Sequence, residues 1–440
     1  MHSTLPRPIH PLRALALASI YWLVLLALTS PVRHSGNMWS RYMTIESIVE
    51  RSTLVVSRSP MLPISGTPDL ARFDRRLYSD KPPVLSALGA LVYAPLYWSG
   101  WQFLGSPREF ERINLVLVSA LVGLSSALAI YWLRMLAQVI DFRPWVSDLL
   151  VLGSGFGSLL FCYGVTFNNH SVAAGLLTAA FALILLEDTA SSARRLGWRR
   201  GLAGLLAALA ATIDLPSGGI MGIGLGIWLG MRSRWAILPY LAGSAGPILL
   251  HCGLQSLVTG SPLPVEMYPE ALAYDGSYWA SKDGAPPEVA RWRFGLEFLF
   301  GPQGWLTVTP ALTFAPIGLA LALGRGPGPL RAGALTVLIA IGALLVYYVF
   351  GVRRVDFAGQ SYGTRHLLAI TPLAFFLTLI ALERLRSRLV GLIFAVSLAV
   401  STVYAWKGME QPWSRIEHRE DRTLEVLQRF VIYPHTSYDR

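Results

Sequence analysis

Long apolar runs alternate with short polar breaks along almost the whole chain. Runs at 14–30, 84–104, 113–133, 146–164, 172–186, 202–214, 218–231, 236–258, 306–324, 332–350, 366–382 and 389–405 carry few charges. Most approach the ~20 residues that a helix needs to cross ~30 Å of hydrocarbon, so the pattern predicts an all-α, polytopic membrane protein. The breaks are of two kinds. Arg194, Arg195, Arg199 and Arg200 crowd one of them, and Arg232 with Arg234, Arg325 with Arg331, and Arg384 with Arg386 and Arg388 mark three more. Those around 165–171 and 214–217 carry no arginine. The positive-inside bias places the arginine-rich breaks in the cytoplasm, together with Arg7 and Arg13 ahead of the first run. Both placements hold together only if an odd run between 30 and 190 fails to span. The run at 84–104 suits that role: it follows Pro82-Pro83, contains Pro95 and Gly100, and carries Tyr93, Tyr97, Trp98 and Trp101. Such aromatic content belongs at the headgroups. The expectation is about eleven spans plus an interfacial helix in a first outer loop 31–112, with the N-terminus inside and the C-terminus outside. Residues 1–405 form the transmembrane domain and 406–440 a short outer tail. The rival arrangement has the N-terminus outside and 84–104 spanning.

Composition narrows the class. Of 440 residues, 53% are hydrophobic and only 14% charged, with a mean hydropathy of +0.48. This excludes an ordinary soluble enzyme, which carries roughly a quarter charged residues. The net charge of +11 rests on 34 arginines against three lysines, Lys81, Lys282 and Lys407. The arginines sit in short loops between apolar runs, so they report membrane orientation and not nucleic acid, which is excluded as a partner. Cys162 and Cys252 lie inside apolar runs, which argues against a disulfide framework or a thiolate metal cage. No small-residue cleavage site follows the first run, which reads as a retained helix.

Three constellations carry candidate chemistry. The first outer loop holds Ser40-Arg41-Tyr42, a helix-like segment, and then Tyr78-Ser79-Asp80-Lys81-Pro82-Pro83. In a chain that almost always chooses arginine, Lys81 offers a compact point charge suited to a phosphate oxygen, held at headgroup depth by the prolines. The competing reading is a lysine that snorkels to the interface or meets lipid headgroups generally. The second is Phe167-Asn168-Asn169-His170, where one asparagine caps a helix and the imidazole is a candidate acid, base or ligand. The third is Gly359-Gln360-Ser361-Tyr362-Gly363-Thr364-Arg365-His366. There Arg365, at a helix start, either clamps a phosphate or anchors the helix end at the interface. Phe300-Gly301-Pro302-Gln303-Gly304-Trp305 and Gly260-Ser261-Pro262 read as turns. No nucleotide-binding loop is present, which favours a membrane-embedded energy donor.

In this order, Ser40-Arg41-Tyr42, Tyr78 to Pro83, Asn168-Asn169-His170, Phe300-Gly301-Pro302 and Ser361 to Arg365 resemble the GT-C superfamily of integral-membrane glycosyltransferases. The likeness is to the bacterial branch related to protein O-mannosyltransferases and lipid A aminoarabinose transferases, over about residues 14–385. It implies a hexosyl- or pentosyltransferase of the inner membrane. Such an enzyme moves a sugar from a polyprenyl-phosphate carrier to a lipid, glycan or protein acceptor at the outer face, among membrane lipids. It implies that Lys81 and Arg365 take the donor phosphate with Tyr78. Arg41, Tyr42, Asn169, His170 and Tyr362 would line the pocket, with Asp80 orienting Lys81. No cofactor or metal ligand is assigned, and there is room for a divalent cation. The family places an acidic residue as catalytic base a few positions before the Ser-Arg-Tyr element. Here that place holds Asn37, whose amide cannot accept a proton near neutral pH. Glu46 is nine residues on, two and a half helical turns away, and Asp69, Asp74 and Asp80 follow in the same loop. Two alternatives stay open: a degenerate scaffold that binds the carrier or a partner without transfer, and a transporter. The transporter is disfavoured because the ionisable residues gather at one face and not at mid-membrane.

Overall fold

The computed structural model describes residues 11–140, 142–189, 193–277, 280, 290–351, 360–416, 419–429 and 431. Gly359 and Lys282 lie outside these. Helices form where the apolar runs place them, and their starts satisfy the free N–H groups of a first turn. Ser35, Ser106 and Asn168 each accept a hydrogen bond from the backbone N–H three residues on, opening helices Gly36–Arg51, Pro107–Leu117 and Asn169–Leu185. Proline opens the helices Pro83–Trp98 and Pro144–Phe156, where its missing N–H costs nothing.

Among the described residues, six helices are long and apolar enough to cross a membrane: Pro11–Leu28, Pro107–Val139, Ile237–Thr259, Gly328–Gly351, Arg365–Leu385 and Arg388–Glu410. A pair bent by 104°, Arg291–Val308 with Pro310–Arg325, would make a seventh. This is the expected all-α polytopic fold, but it does not by itself reach about eleven spans. The physical reasons differ from run to run. Run 146–164 breaks at Gly157 into Pro144–Phe156 and Leu159–Tyr163, and Asn169–Leu185 has 17 residues. Ala193–Ile213 starts in the arginine cluster, and Leu215–Arg232 is rich in glycine. The run at 84–104 folds as Pro83–Trp98, 16 residues with Pro95 inside, shorter than a span needs.

Two helices form the centre. Asn169–Leu185 is buried from His170 to Leu185, and the span Arg365–Leu385 is 89% buried. Pro11–Leu28, Ile237–Thr259 and Arg388–Glu410 lie outside them, with only 22–28% of each span buried. Close approach relies on missing side chains: a Cβ on Gly175 would meet the Ser125 carbonyl at 2.0 Å, and one on Gly318 the Leu377 carbonyl at 1.7 Å. The last long helix runs on to Glu410, five residues into the expected tail. The segment after it packs back: Asp421 pairs with Lys407 of this helix at 3.0 Å, and Gln428 Nε2 donates to the Pro302 carbonyl and the Tyr404 hydroxyl, both at 3.2 Å.

One element departs from the all-α expectation. Leu70–Phe73 and Arg76–Ser79 form a two-stranded antiparallel hairpin in register Leu70↔Ser79. Asp74 and Arg75 turn it with φ of 46° and 61°, the left-handed backbone a two-residue hairpin loop requires. Its register carries Asp69 opposite Asp80, with the Asp80 N–H donating to the Asp69 carbonyl at 3.4 Å.

Candidate active site

The site begins where this hairpin meets the helix Gly36–Arg51. Ser40 Oγ and Ser79 Oγ are 2.6 Å apart, joining two sequence motifs across 39 residues. Just beyond, Lys81 Nζ lies 2.9 Å from Asp80 Oδ2 and 3.3 Å from Asp69 Oδ1. The Lys81 side chain keeps 21% of its surface exposed and that of Asp69 15%, whereas that of Asp80 keeps 8%. Burial pushes the Asp80 carboxyl up to about 7 against the pull of Lys81, and the Asp69 charge pushes the same way as burial. Burial works to lower the Lys81 ammonium, but Asp69 and Asp80 outweigh it and leave it above the ordinary lysine value. Asp69 also reaches the start of the helix: its Oδ2 lies 3.3 Å from where a Cβ on Gly36 would stand. The side-chain oxygen of Asn37, the next residue, is buried without a partner among the described residues.

Arg41, one residue past Ser40, is buried among these groups. Burial holds its guanidinium down to about 10, opposed by Asp80, Asp69 and Asp214, while Arg365 adds repulsion. Its Nη2 donates to Asn169 Oδ1 at 3.3 Å, and its Nε is buried with no acceptor. Arg365 stands over the Trp413 ring at 5.2 Å, and its Nε is likewise buried with no acceptor. Two mutually repelling guanidinia, each with a buried donor unused among the described residues, suit an anion. Arg365 is held there by the preceding turn. Gly363 adopts φ +63°, donates its N–H to Gln303 Oε1 at 3.1 Å, and is followed by Thr364, whose hydroxyl donates to the Gln303 carbonyl at 2.8 Å. The Phe300–Trp305 segment thus braces the cation-bearing turn.

On the inner side of Asn169, His170 Nδ1 lies 2.7 Å from Asp214 Oδ2, both side chains buried. The His366 ring is 5.8 Å from that of His170 and stacks on Tyr348 at 4.3 Å. The site therefore unites Arg41, Asn169, His170, Asp80, Lys81 and Arg365. Among the described residues no three of His, Cys, Asp and Glu are grouped so that they could hold a metal ion.

Four expected residues are placed elsewhere. Tyr42 donates to Asn114 Oδ1 at 2.7 Å and packs on Phe103, Phe110 and Phe167. Glu46 is fully engaged by Arg51 and by the Ser59 hydroxyl, which donates to Oε2 at 2.8 Å; it lies five residues from Arg41, about 140° round the helix. Tyr78 alternates with Ser79 along its strand and packs with Ala71, Val258, Val265 and Ala271, so its ring belongs to a small apolar cluster. Tyr362 sits beneath the Arg419 guanidinium at 4.8 Å, and its N–H donates to the Pro412 carbonyl at 2.9 Å, tying the outer turn to the chain end. Asn168 is the helix cap, its Oδ1 accepting from the Ser171 N–H at 2.9 Å.

No protein-family model matches the chain, and no curated protein matches it. Solved structures do. A crystal structure of ArnT from Cupriavidus metallidurans bound to undecaprenyl phosphate superposes with a TM-score of 0.51 at 15% identity, covering 90% of this chain and 74% of that one. The chain has a GT-C fold. The apo crystal structure of the same ArnT matches with a TM-score of 0.49, 16% identity and the same coverage. Within the GT-C fold of this chain, sequence reasoning did not assign Asp214 and held Asp69 only in reserve. Asp214 had a signal: it is the one acidic residue in an arginine-free break between apolar runs. Asp69 had a subtler one, the alternating Leu70–Phe73 and Arg76–Ser79 strands around Asp74-Arg75, whose pairing puts it opposite Asp80.

Proposed function

We propose that this chain is a glycosyltransferase that moves a sugar from a polyprenyl-phosphate carrier to an acceptor hydroxyl at the outer face of a bacterial inner membrane. The observation that carries the reading is the pair of guanidinia, Arg41 and Arg365, each with a buried Nε that lacks an acceptor among the described residues, together with the Lys81 ammonium. The GT-C fold, shared with an ArnT whose crystal structure holds undecaprenyl phosphate, supports it. The acceptor, whether lipid, glycan or protein, enters with its hydroxyl oxygen against the anomeric carbon. As the new C–O bond forms, the bond from that carbon to the phosphate oxygen breaks. The electron pair leaves on the lipid phosphate, whose growing charge is met by Lys81, Arg41 and Arg365. Asn169 and His170 line the pocket, with Asn169 holding Arg41 and Asp214 fixing the His170 ring.

The acceptor proton needs a carboxylate. Asn37 cannot take it, Glu46 is engaged by Arg51 and Ser59, and Asp80 is the more buried of the two carboxylates on Lys81. Asp69, the more open one, beside the start of the Gly36–Arg51 helix, is the base in this reading. The arginine-rich breaks support an N-terminus in the cytoplasm, about eleven spans and the chain end outside. Labelled sugar transfer from a polyprenyl-phosphate donor, in membranes with and without the protein, tests the reading. Carrier binding without transfer would turn it into the degenerate scaffold that Asn37 suggests.

A further inference from the structure

The other end of the central helix carries a second cluster of charge. The helix Asn169–Leu185 runs from the cation cluster to Glu187, about 25 Å at 1.5 Å per residue. There a groove of about 790 Å³ opens between the helices Leu215–Arg232 and Gly328–Val346. Its walls include Ile227, Met231 and Ile339, exposed by 58%, 80% and 57%. In a membrane such surfaces face acyl chains.

Among the described residues, two guanidinia at the mouth share one carboxylate. Glu187 is the acceptor for two guanidinia, Arg200 at 2.8 Å and Arg232 at 3.0 Å. Arg232 spends one nitrogen on Glu187, and its Nη2 is buried with no partner. Beneath it, 5.0 Å from the guanidinium to the ring centre, lies Trp228, whose indole Nε1 is also buried with no partner. Two adjacent orphan donors, one charged, beside an apolar groove need an acceptor that is anionic and carries a hydrocarbon chain.

We propose that this groove binds an anionic glycerophospholipid, its phosphate accepting from Arg232 Nη2 and Trp228 Nε1 and an acyl chain lying along Ile227 and Ile339. The phosphate completes the hydrogen bonding of both donors and balances the second guanidinium on Glu187. The site is independent of the transfer reaction, being at the far end of the bundle from Lys81.

The test is native mass spectrometry of the full chain in detergent, titrated with phosphatidylglycerol or with phosphatidylcholine of the same acyl chains. The expected result is one retained phosphatidylglycerol, held at least tenfold more tightly than phosphatidylcholine. Arg232→Gln and Trp228→Phe should each weaken it by roughly tenfold. Arg234→Gln, two residues on at the exposed Trp235, should leave it unchanged. Gly328→Trp gives a second route, because a side chain there meets open space and fills the groove without displacing the backbone. It should abolish binding in a protein that stays folded. Equal retention of the two lipids, equal losses in Arg232→Gln and Arg234→Gln, or undiminished binding in Gly328→Trp would each overturn the proposal. A polyprenyl phosphate that displaces phosphatidylglycerol at equal concentration would overturn the glycerophospholipid assignment.

Discussion

The two faces of the helix Gly36–Arg51 carry similar residue types and fare differently. On one face Asn37 and Arg41, four residues apart, keep a buried oxygen and a buried Nε without partners. On the other, Tyr42 and Glu46, also four apart, are satisfied by Asn114, Arg51 and Ser59. The Nε of both Arg41 and Arg51 is buried without a partner among the described residues, but Arg51 pairs with the Glu46 carboxylate, whereas Arg41 donates only to the neutral oxygens of Asn37 and Asn169. A guanidinium charge left without a carboxylate, and not an unspent donor alone, separates the face assigned to a ligand from the face that holds the loop together.

The largest effect that would break this comparison is at Asp69. A positioned base contributes ~10²–10⁴-fold, so Asp69→Asn should lower the transfer rate by that order while carrier binding persists. Asn37→Asp in the same background should recover part of it, because Asp69 lies beside Gly36, the residue before Asn37. An Asp69→Asn protein that transfers sugar at the normal rate would remove Asp69 from the mechanism.

Next come the cations. Arg41→Ala, Arg365→Ala and Lys81→Ala should each weaken binding of a polyprenyl-phosphate ligand roughly tenfold or more, since a hydrogen bond to a charged group is worth ~1.5–3 kcal/mol. Arg41→Lys should recover little, because a point charge cannot replace two directed donors. Isothermal titration or thermal-shift measurement in detergent reads this directly.

The satisfied face should answer in stability alone. Tyr42→Phe leaves Asn114 Oδ1 unpaired in the core, costing ~1–3 kcal/mol of stability with carrier affinity unchanged. Glu46→Gln, by loosening Arg51 and Ser59, should lower the unfolding temperature without abolishing transfer. Abolition of transfer in a folded Glu46→Gln protein would place the base there after all.

The smallest expected effect is in pH. The folded Asp80 carboxyl titrates near 7, above the 3.8 of an ordinary aspartate, so it binds more protons in the folded state. Its contribution to stability is full below that ordinary value and is lost as pH rises through about 7. The same protonation removes one of two anions from Lys81, so affinity for a phosphodiester donor should strengthen a few-fold from alkaline to mildly acid pH. Asp80→Asn should flatten that dependence.

Periodicity and local chemistry were legible in the sequence. Apolar runs foretold the helices, Pro82-Pro83 the start of the helix after Lys81, and the Asn168-Asn169 pair a cap, which Asn168 supplies. Segments that carry the ordered motifs lie together in the fold, where the Ser40–Ser79 and Arg41–Asn169 contacts join three of them. The hidden part depends on facing. Tyr42 and Arg41 are neighbours in sequence yet about 100° apart around a helix, and Tyr78 and Ser79 fall on opposite sides of a strand. The four-residue strands are too short to announce themselves, so the register that sets Asp69 opposite Asp80 emerges only in the fold. The number of spans was blurred for a related reason, since helix breaks such as Gly157 interrupt runs that hydropathy reads as continuous.

The central claim is that the outer cation cluster works on a lipid-linked sugar with Asp69 as its base. The most direct measurement is transfer of labelled sugar from a polyprenyl-phosphate donor in proteoliposomes containing wild type, Asp69→Asn or Arg365→Ala protein. The account predicts label in acceptor with wild type, loss of transfer with retained carrier binding in Asp69→Asn, and loss of carrier binding in Arg365→Ala. Wild-type protein that binds carrier but moves no label, or an Asp69→Asn protein as active as wild type, would contradict it.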